Sequence, residues 1–196
     1  GLPKDDAQAV QWFRKAAEAG DSRGMFQIGR SFEQGQGVPK DEVQAFDWYR
    51  KGAEGGNHSA MVRLGHLYRS GRGVSKDESA AVQWYRKAAE RGVAEAMVFL
   101  GNSYDAGQGI TKNEAVAVEW YRKAAEAGDS MGMFNLGVAY SQGQGVTKDE
   151  VKAVQWFHKA AEAGDLDAMR TLGFRYEKGR GVEKDEAQAV QWYHKA

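Results

Sequence analysis

Six tryptophans, Trp12, Trp48, Trp84, Trp120, Trp156 and Trp192, stand 36 residues apart along the whole chain. A spacing kept this strictly over 196 residues excludes most folds, because a single closed core makes no demand for one residue type at equal intervals. It demands a stack of like units, each contacting only its neighbours. The stretch RKAAEAGDS at residues 14–22 recurs letter for letter at 122–130, and the separation of 108 residues is three of these periods. Glycine keeps the same interval in four registers, those of Gly20, Gly29, Gly35 and Gly37, which with their equivalents take up 20 of the 25 glycines. Glycine therefore acts as punctuation and does not mark low complexity.

Within one unit, residues 20–55, the pattern predicts two helices. Met25, Ile28, Gly29 and Phe32 fall at i, i+3, i+4 and i+7 on a first helix from Asp21 to Gln34. Ala45, Trp48, Tyr49, Gly52 and Ala53 do the same on a second, from Asp41 to Glu54. Each runs about 21 Å at the standard rise, too short to hold itself together alone. The intervening GQGVPKDE reads as a stop followed by a start: Gly35 takes the left-handed conformation that ends a helix, and Asp41 caps the next one. The capping position reads Asp5, Asp41, Asp77, Asn113, Asp149 and Asp185, and both residue types offer the side-chain oxygen that a cap requires. No segment alternates like a strand. The predicted fold class is all-α, a stack of helical hairpins. Gly29 and its equivalents cost a helix about 1 kcal/mol each relative to alanine, so their recurrence predicts close helix approach, with Trp48-type and Phe32-type rings filling the space beside the bare backbone.

Composition narrows the function. With 27 basic and 27 acidic residues and 42% hydrophobic content, the chain is of the soluble globular kind and has no net field to attract nucleic acid or an anionic membrane. No run of 18 apolar residues exists, so membrane insertion is not expected, and GLPKDDAQAV is no export signal. Zero cysteines exclude disulfides, thiolate metal sites and cysteine nucleophiles. None of this assigns a compartment.

Leu64-Gly65, Tyr68, Gly71, Gly73-Val74 and Lys76-Asp77, then Ala81-Val82, Trp84-Tyr85 and Lys87-Ala88-Ala89-Glu90, form a pattern that closely resembles the Sel-one-like repeat family, a relative of the tetratricopeptide repeats. The match recurs in every unit. Departures are local: Gly52 and Gly55 replace alanine, Ile110 replaces valine, and Arg91-Gly92-Val93 lacks a polar residue after the glycine. The resemblance implies a right-handed α-solenoid whose first helices line a concave face used to hold a partner protein or peptide. Its disulfide-bearing members lend this cysteine-free chain nothing. The expected organisation is a single repeat domain over residues 1–196: the second helix of a partial repeat at 1–19, full repeats at 20–55, 56–91, 92–127 and 128–163, and a nearly complete one at 164–196. Neither end carries a polar capping unit, so the sequence reads as a section of a longer repeat protein, with end-to-end self-association left open. The alanine-rich KAAEAG blocks suggest a bacterial source.

Against the monotony of the repeat, a few columns of the first helix vary. One reads Gln27, Arg63, Phe99, Asn135 and Thr171; three residues on come Arg30, His66, Asn102, Val138 and Phe174. Beside these lie Ser31, Leu67, Ser103, Ala139 and Arg175. Variation of this kind suits a partner-binding groove, with Phe99 and Phe174 as apolar anchors and Arg30 and Arg63 as carboxylate partners; it suits unconstrained solvated positions as well.

Other motifs carry less. The GxGV turns follow helices and lack the GK[ST] ending of a phosphate loop. His158 and His194 sit one repeat apart, about 10 Å by layer spacing, too far to share an ion; His58 lies at a helix start. No metal, cofactor or catalytic set is expected. Arg14 and Glu18, Arg50 and Glu54, Arg86 and Glu90, Arg122 and Glu126 are i, i+4 pairs worth about 0.2–0.5 kcal/mol each on a solvated face. The tryptophans, in their alanine and tyrosine company, read as core. Asn57-His58-Ser59 matches a glycosylation sequon, as short motifs do by chance. The reading is a non-enzymatic interaction scaffold or adaptor. A small-ligand or cell-wall-fragment binder or hydrolase of the bacterial envelope, and a structural spacer, stand as alternatives.

Overall fold

The computed structural model describes residues 5–196; Gly1 to Lys4, the opening of the expected partial repeat, lie outside the described residues. Among these, eleven helices and no strand occur. They are α1 (Asp6–Glu18), α2 (Ser22–Gln34), α3 (Glu42–Glu54), α4 (His58–Ser70), α5 (Glu78–Ala89) and α6 (Ala94–Ala106), followed by α7 (Glu114–Glu126), α8 (Ser130–Gln142), α9 (Glu150–Glu162), α10 (Leu166–Lys178) and α11 (Glu186–Lys195). Even-numbered helices are the first, and odd-numbered helices the second, of each hairpin. The chain divides into two compact units, one ending at Arg91 with α1 to α5 and one starting at Gly92 with α6 to α11. In each unit every helix packs on the next in sequence, and α6 also touches α8. No helix among the described residues is long and apolar enough to cross a membrane.

The helix boundaries follow from the predicted signals. Gly35, Gly71, Gly107, Gly143 and Gly179 close the first helices with φ of 70°, 74°, 69°, 76° and 65°. That conformation lets the cap N–H of Gly71 reach the Leu67 carbonyl. Asp41 then ties the two helices of its hairpin together: its carboxylate accepts from the Gln44 amide at 3.0 Å, while its own N–H donates to the Phe32 carbonyl at 3.0 Å. Asp77, Asp149 and Asp185 repeat both bonds. First helices are capped by Asp21, Asn57, Asp129 and Asp165; α6 alone starts at a residue, Val93, with no side chain to offer. The sequon asparagine is thus the cap of α4, its Oδ1 2.9 Å from the Ala60 amide.

Ile28 and Leu64 in the first unit, and Leu100, Leu136 and Leu172 in the second, are fully buried. Burying such a side chain contributes about 1.5–3 kcal/mol, and the helical glycine follows each directly. The ring against that glycine is not the tryptophan expected but the aromatic residue after it. A Cβ on Gly29 would lie 2.7 Å from the Tyr49 ring, and one on Gly101, Gly137 or Gly173 would meet Tyr121, Phe157 or Tyr193 as closely. Tyr49, Tyr85 and Phe157 are fully buried in consequence.

The tryptophans are not core. Trp12 is 63% exposed, and the others are half-buried, packing at the margin of the clusters as Trp156 and Trp192 do. Each carries on its face the ammonium of a lysine one turn on: Lys51 lies 4.4 Å from the Trp48 centroid, Lys87 4.0 Å from Trp84 and Lys159 4.2 Å from Trp156. Such contacts contribute about 0.5–1 kcal/mol at exposed sites. Arg50, predicted to reach Glu54, turns instead to Asp47 at 3.2 Å.

Candidate functional site

The variable columns separate once their burial is known. Ser31, Leu67, Ser103, Ala139 and Arg175 are all buried and belong to the interior. Gln27, His66, Phe99, Asn102, Asn135, Val138 and Thr171 are half-buried, while Arg30, Arg63 and Phe174 are exposed. The remaining two columns lie partly at the surface, on α2 and α4 in the first unit and on α6, α8 and α10 in the second.

Part of that surface is engaged from below. In four of the second helices a tyrosine sends its hydroxyl beside the glycine to a polar group of the first helix. Tyr49 donates to Glu33 Oε2 at 2.7 Å, Tyr121 to Asn102 Oδ1 at 2.8 Å and Tyr193 to Glu177 Oε2 at 3.1 Å; Tyr85 pairs with His66 Nδ1 at 3.0 Å. Burial first, then the Glu33 carboxylate, pushes the Tyr49 hydroxyl up, and burial with Asp105 does the same to Tyr121. Burial and then the Arg69 and Arg63 charges lower His66 to about 4. His66 is consequently neutral at neutral pH and its Nδ1 accepts the hydrogen bond of the Tyr85 hydroxyl, a structural use of a residue predicted for the groove.

Asn102, Asn135 and Val138 do come together. They line a pocket of about 140 Å³ between α6, α7 and α8, with Asp105, Glu114 and Gln144 completing its polar wall. Asn102 Oδ1 accepts from Asn135 Nδ2 at 3.2 Å as well as from Tyr121. Gln27 and Arg30 line an equivalent pocket of about 190 Å³ between α1 and α2, with Asp6 and Gln36. Arg63 and His66 line neither of these pockets; beside the packing of α3 against α4 the Arg72 guanidinium lies 3.1 Å from Glu42 and 3.6 Å from Glu33. Between α9 and α10 the same place holds Arg175, bonded to Glu150 and Ser141 and 4.9 Å from the Phe157 ring. Phe174, beside it, is 41% exposed with the Arg180 guanidinium 5.3 Å from its centroid.

The carboxylates beside these columns, Glu33, Glu42, Asp105, Glu114 and Glu150, were missed by a reading confined to the variable positions. The signal was present in the turn column that reads Gln36, Arg72, Gln108, Gln144 and Arg180, amide in three units and guanidinium in two.

The other motifs find structural uses. A Cβ on Gly73 would run into the Glu42 carbonyl, and one on Gly145 into that of Glu114, so these turns abut a carbonyl of the preceding second helix, the wrong polarity for phosphate. His158 Nε2 lies 3.2 Å from the Tyr176 hydroxyl, and its ring meets Trp192 edge-on at 5.3 Å. Among the described residues no three histidine, aspartate or glutamate side chains converge as a metal-binding set.

A chain of this build is a tandem helical-hairpin repeat protein, an α-solenoid with a period of 36 residues. It belongs to the Sel1 repeat family, whose model matches residues 1–21, 22–57, 58–93, 94–129, 130–165 and 166–196. Among solved structures, it is similar to c5321, a protective antigen of uropathogenic Escherichia coli strains, at 40% identity and a TM-score of 0.90 over 95% of this chain. The chain spans 40% of the length of that protein. A Sel1 repeat protein from Oxalobacter formigenes is 36% identical, with a TM-score of 0.86 over 98% of this chain and 82% of that one. The immunity protein Pa5087 of Pseudomonas aeruginosa shares the fold at 21% identity and a TM-score of 0.64, over 98% of this chain and 74% of its own. No curated protein matches the sequence.

Proposed function

We propose that the chain is a non-enzymatic scaffold that holds a protein or peptide partner on the exposed face of its first helices. One observation supports the reading: within a repeat whose packing positions are nearly invariant, the columns of Gln27 and Arg30 change chemistry from unit to unit, and their residues are exposed or half-buried. Within each unit the packed hairpins present such side chains preformed, so little ordering entropy is lost on binding. The Sel1 family generally serves protein–protein interaction, which supports the same class. The polar pockets, at about 140 and 190 Å³, fall below the usual range of about 300–1,000 Å³ for small-molecule sites; they suit single side chains better.

The test is a crosslinking capture from the native host, comparing the parent with an Arg63→Glu, Phe174→Ala variant. These two residues are exposed, so the variant should melt as the parent does. A protein captured by the parent and lost by the variant supports the scaffold on this face. Equal capture by both places binding elsewhere and removes the reading.

A further inference from the structure

The repeats provide their own comparison. In the cell formed by α2, α3 and α4, Arg72 lies against Glu33 of the first helix and Glu42 of the second. In the cell of α8, α9 and α10, Arg175 lies against Ser141 and Glu150, the residues at the corresponding places. The two arginines enter from different columns of the repeat, one from the turn and one from within the first helix, yet their guanidinium groups contact the corresponding pair of residues. Selection of a guanidinium is therefore a property of the cell and not of the residue that supplies it.

The cell of α6, α7 and α8 has the acceptors and no arginine. Asp105 stands where Glu33 does and Glu114 where Glu42 does, while the two arginine-bearing columns hold Gln144 and Ala139. The space is open, at about 140 Å³; a water takes about 30 Å³ of liquid, so the four heavy atoms of a guanidinium fit. Lys112 lies 2.7 Å from Glu114 Oε1 on the solvent side, but this does not occupy the site. Lys148 holds Glu150 Oε1 in the same way while Arg175 takes Oε2.

We infer that the pocket bounded by Asp105, Glu114, Asn135 and Gln144 receives an arginine side chain from a partner protein, completing between molecules the contact that Arg72 and Arg175 make within the chain. The inference rests on the scaffold reading and narrows it to a partner segment bearing an exposed arginine. A planar guanidinium offers the fork of donors that two flanking carboxylates accept, which an ammonium does not.

An NMR titration of the whole 196-residue chain with N-acetyl-arginine amide, and separately with its uncharged citrulline analogue, tests this. Saturable shifts are expected at the amides of Asp105, Glu114, Asn135 and Gln144, at least about tenfold weaker with citrulline. Gln144→Arg, which installs the Arg72 arrangement, should abolish them, as should Glu114→Gln; Arg72→Gln should open a second responsive set at Glu33 and Glu42. No saturable response around Glu114 in the parent, or an equal response to citrulline, overturns the inference. A silent titration together with capture that depends on Arg63 and Phe174 would discard the pocket and keep the scaffold.

Discussion

A Cβ added to Gly101 would sit 2.6 Å from Cε1 of Tyr121, closer than a real side chain tolerates. Gly101→Ala should gain about 1 kcal/mol of helix propensity and lose more to overpacking, which costs about 1–3 kcal/mol. The expected net loss is about 1 kcal/mol or somewhat more, read from urea unfolding. In a double-mutant cycle with Tyr121→Leu the loss should shrink, since the offending ring is gone. Additive effects would mean that the ring does not set the glycine requirement.

The same pair shows what sequence reasoning reached. The helices, their Asp and Asn caps and the glycine stops were legible because each is a local signal repeated in every unit; Asp21–Gln34 was predicted where Ser22–Gln34 forms behind its Asp21 cap. Which ring fills the glycine notch was not. Trp48 and Tyr49 are neighbours, and a core-facing stripe over 100° wide accommodates either; the choice belongs to the partner helix. Arg175 escaped for a related reason. A charged residue in a variable column reads as surface, and its burial shows only when Glu150 and Ser141 arrive from other helices.

Val93 leaves α6 without the side-chain cap that four other first helices have. Val93→Asp should raise stability by about 0.5–1 kcal/mol, the gain from a cap less some lost packing of a half-buried valine. Thermal or urea unfolding reads the change. A loss would show that the valine contact outweighs the free N–H groups.

His66 makes stability depend on pH. Its folded value, about 4, lies below the ordinary 6.5, so above pH 6.5 both states are neutral and the group contributes nothing. As pH falls from 6.5 towards 4, the unfolded chain takes up a proton that the folded one refuses, and stability drops. Discounted for half-burial, the fall is about 1 kcal/mol by pH 5. His158, also lowered by burial, adds in the same direction. His66→Asn, which copies the Asn102 to Tyr121 pair, should flatten the part due to His66 in urea unfolding at pH 7 and pH 5. An unchanged slope would place the dependence on other groups.

Arg175 holds the Glu150 carboxyl below its usual range, chiefly through the hydrogen bond between them. Arg175→Met keeps the stem over Phe157 and removes the guanidinium. It should cost about 1–2 kcal/mol at pH 7, less than a fully buried pair because Glu150 retains access to water. The group's pKa is depressed in the folded state, so its contribution is present above the unfolded value of 4.5 and vanishes as pH falls through the folded one. The difference between parent and variant should therefore narrow below pH 4.5. A constant difference would assign the effect to packing.

The two turns of the hairpin differ in what surrounds them. A Cβ on Gly56 or Gly128 would meet nothing within 4 Å, whereas one on Gly73 or Gly145 would strike the first turn of the preceding second helix. The glycine pair is thus a key cut to its neighbour: its length cannot drift without uncoupling adjacent copies, and it keeps the period at 36 residues. The other turn is slack. Bulk added there meets open space and leaves the keyed turn, and with it the seating of each copy on the one before, as it is.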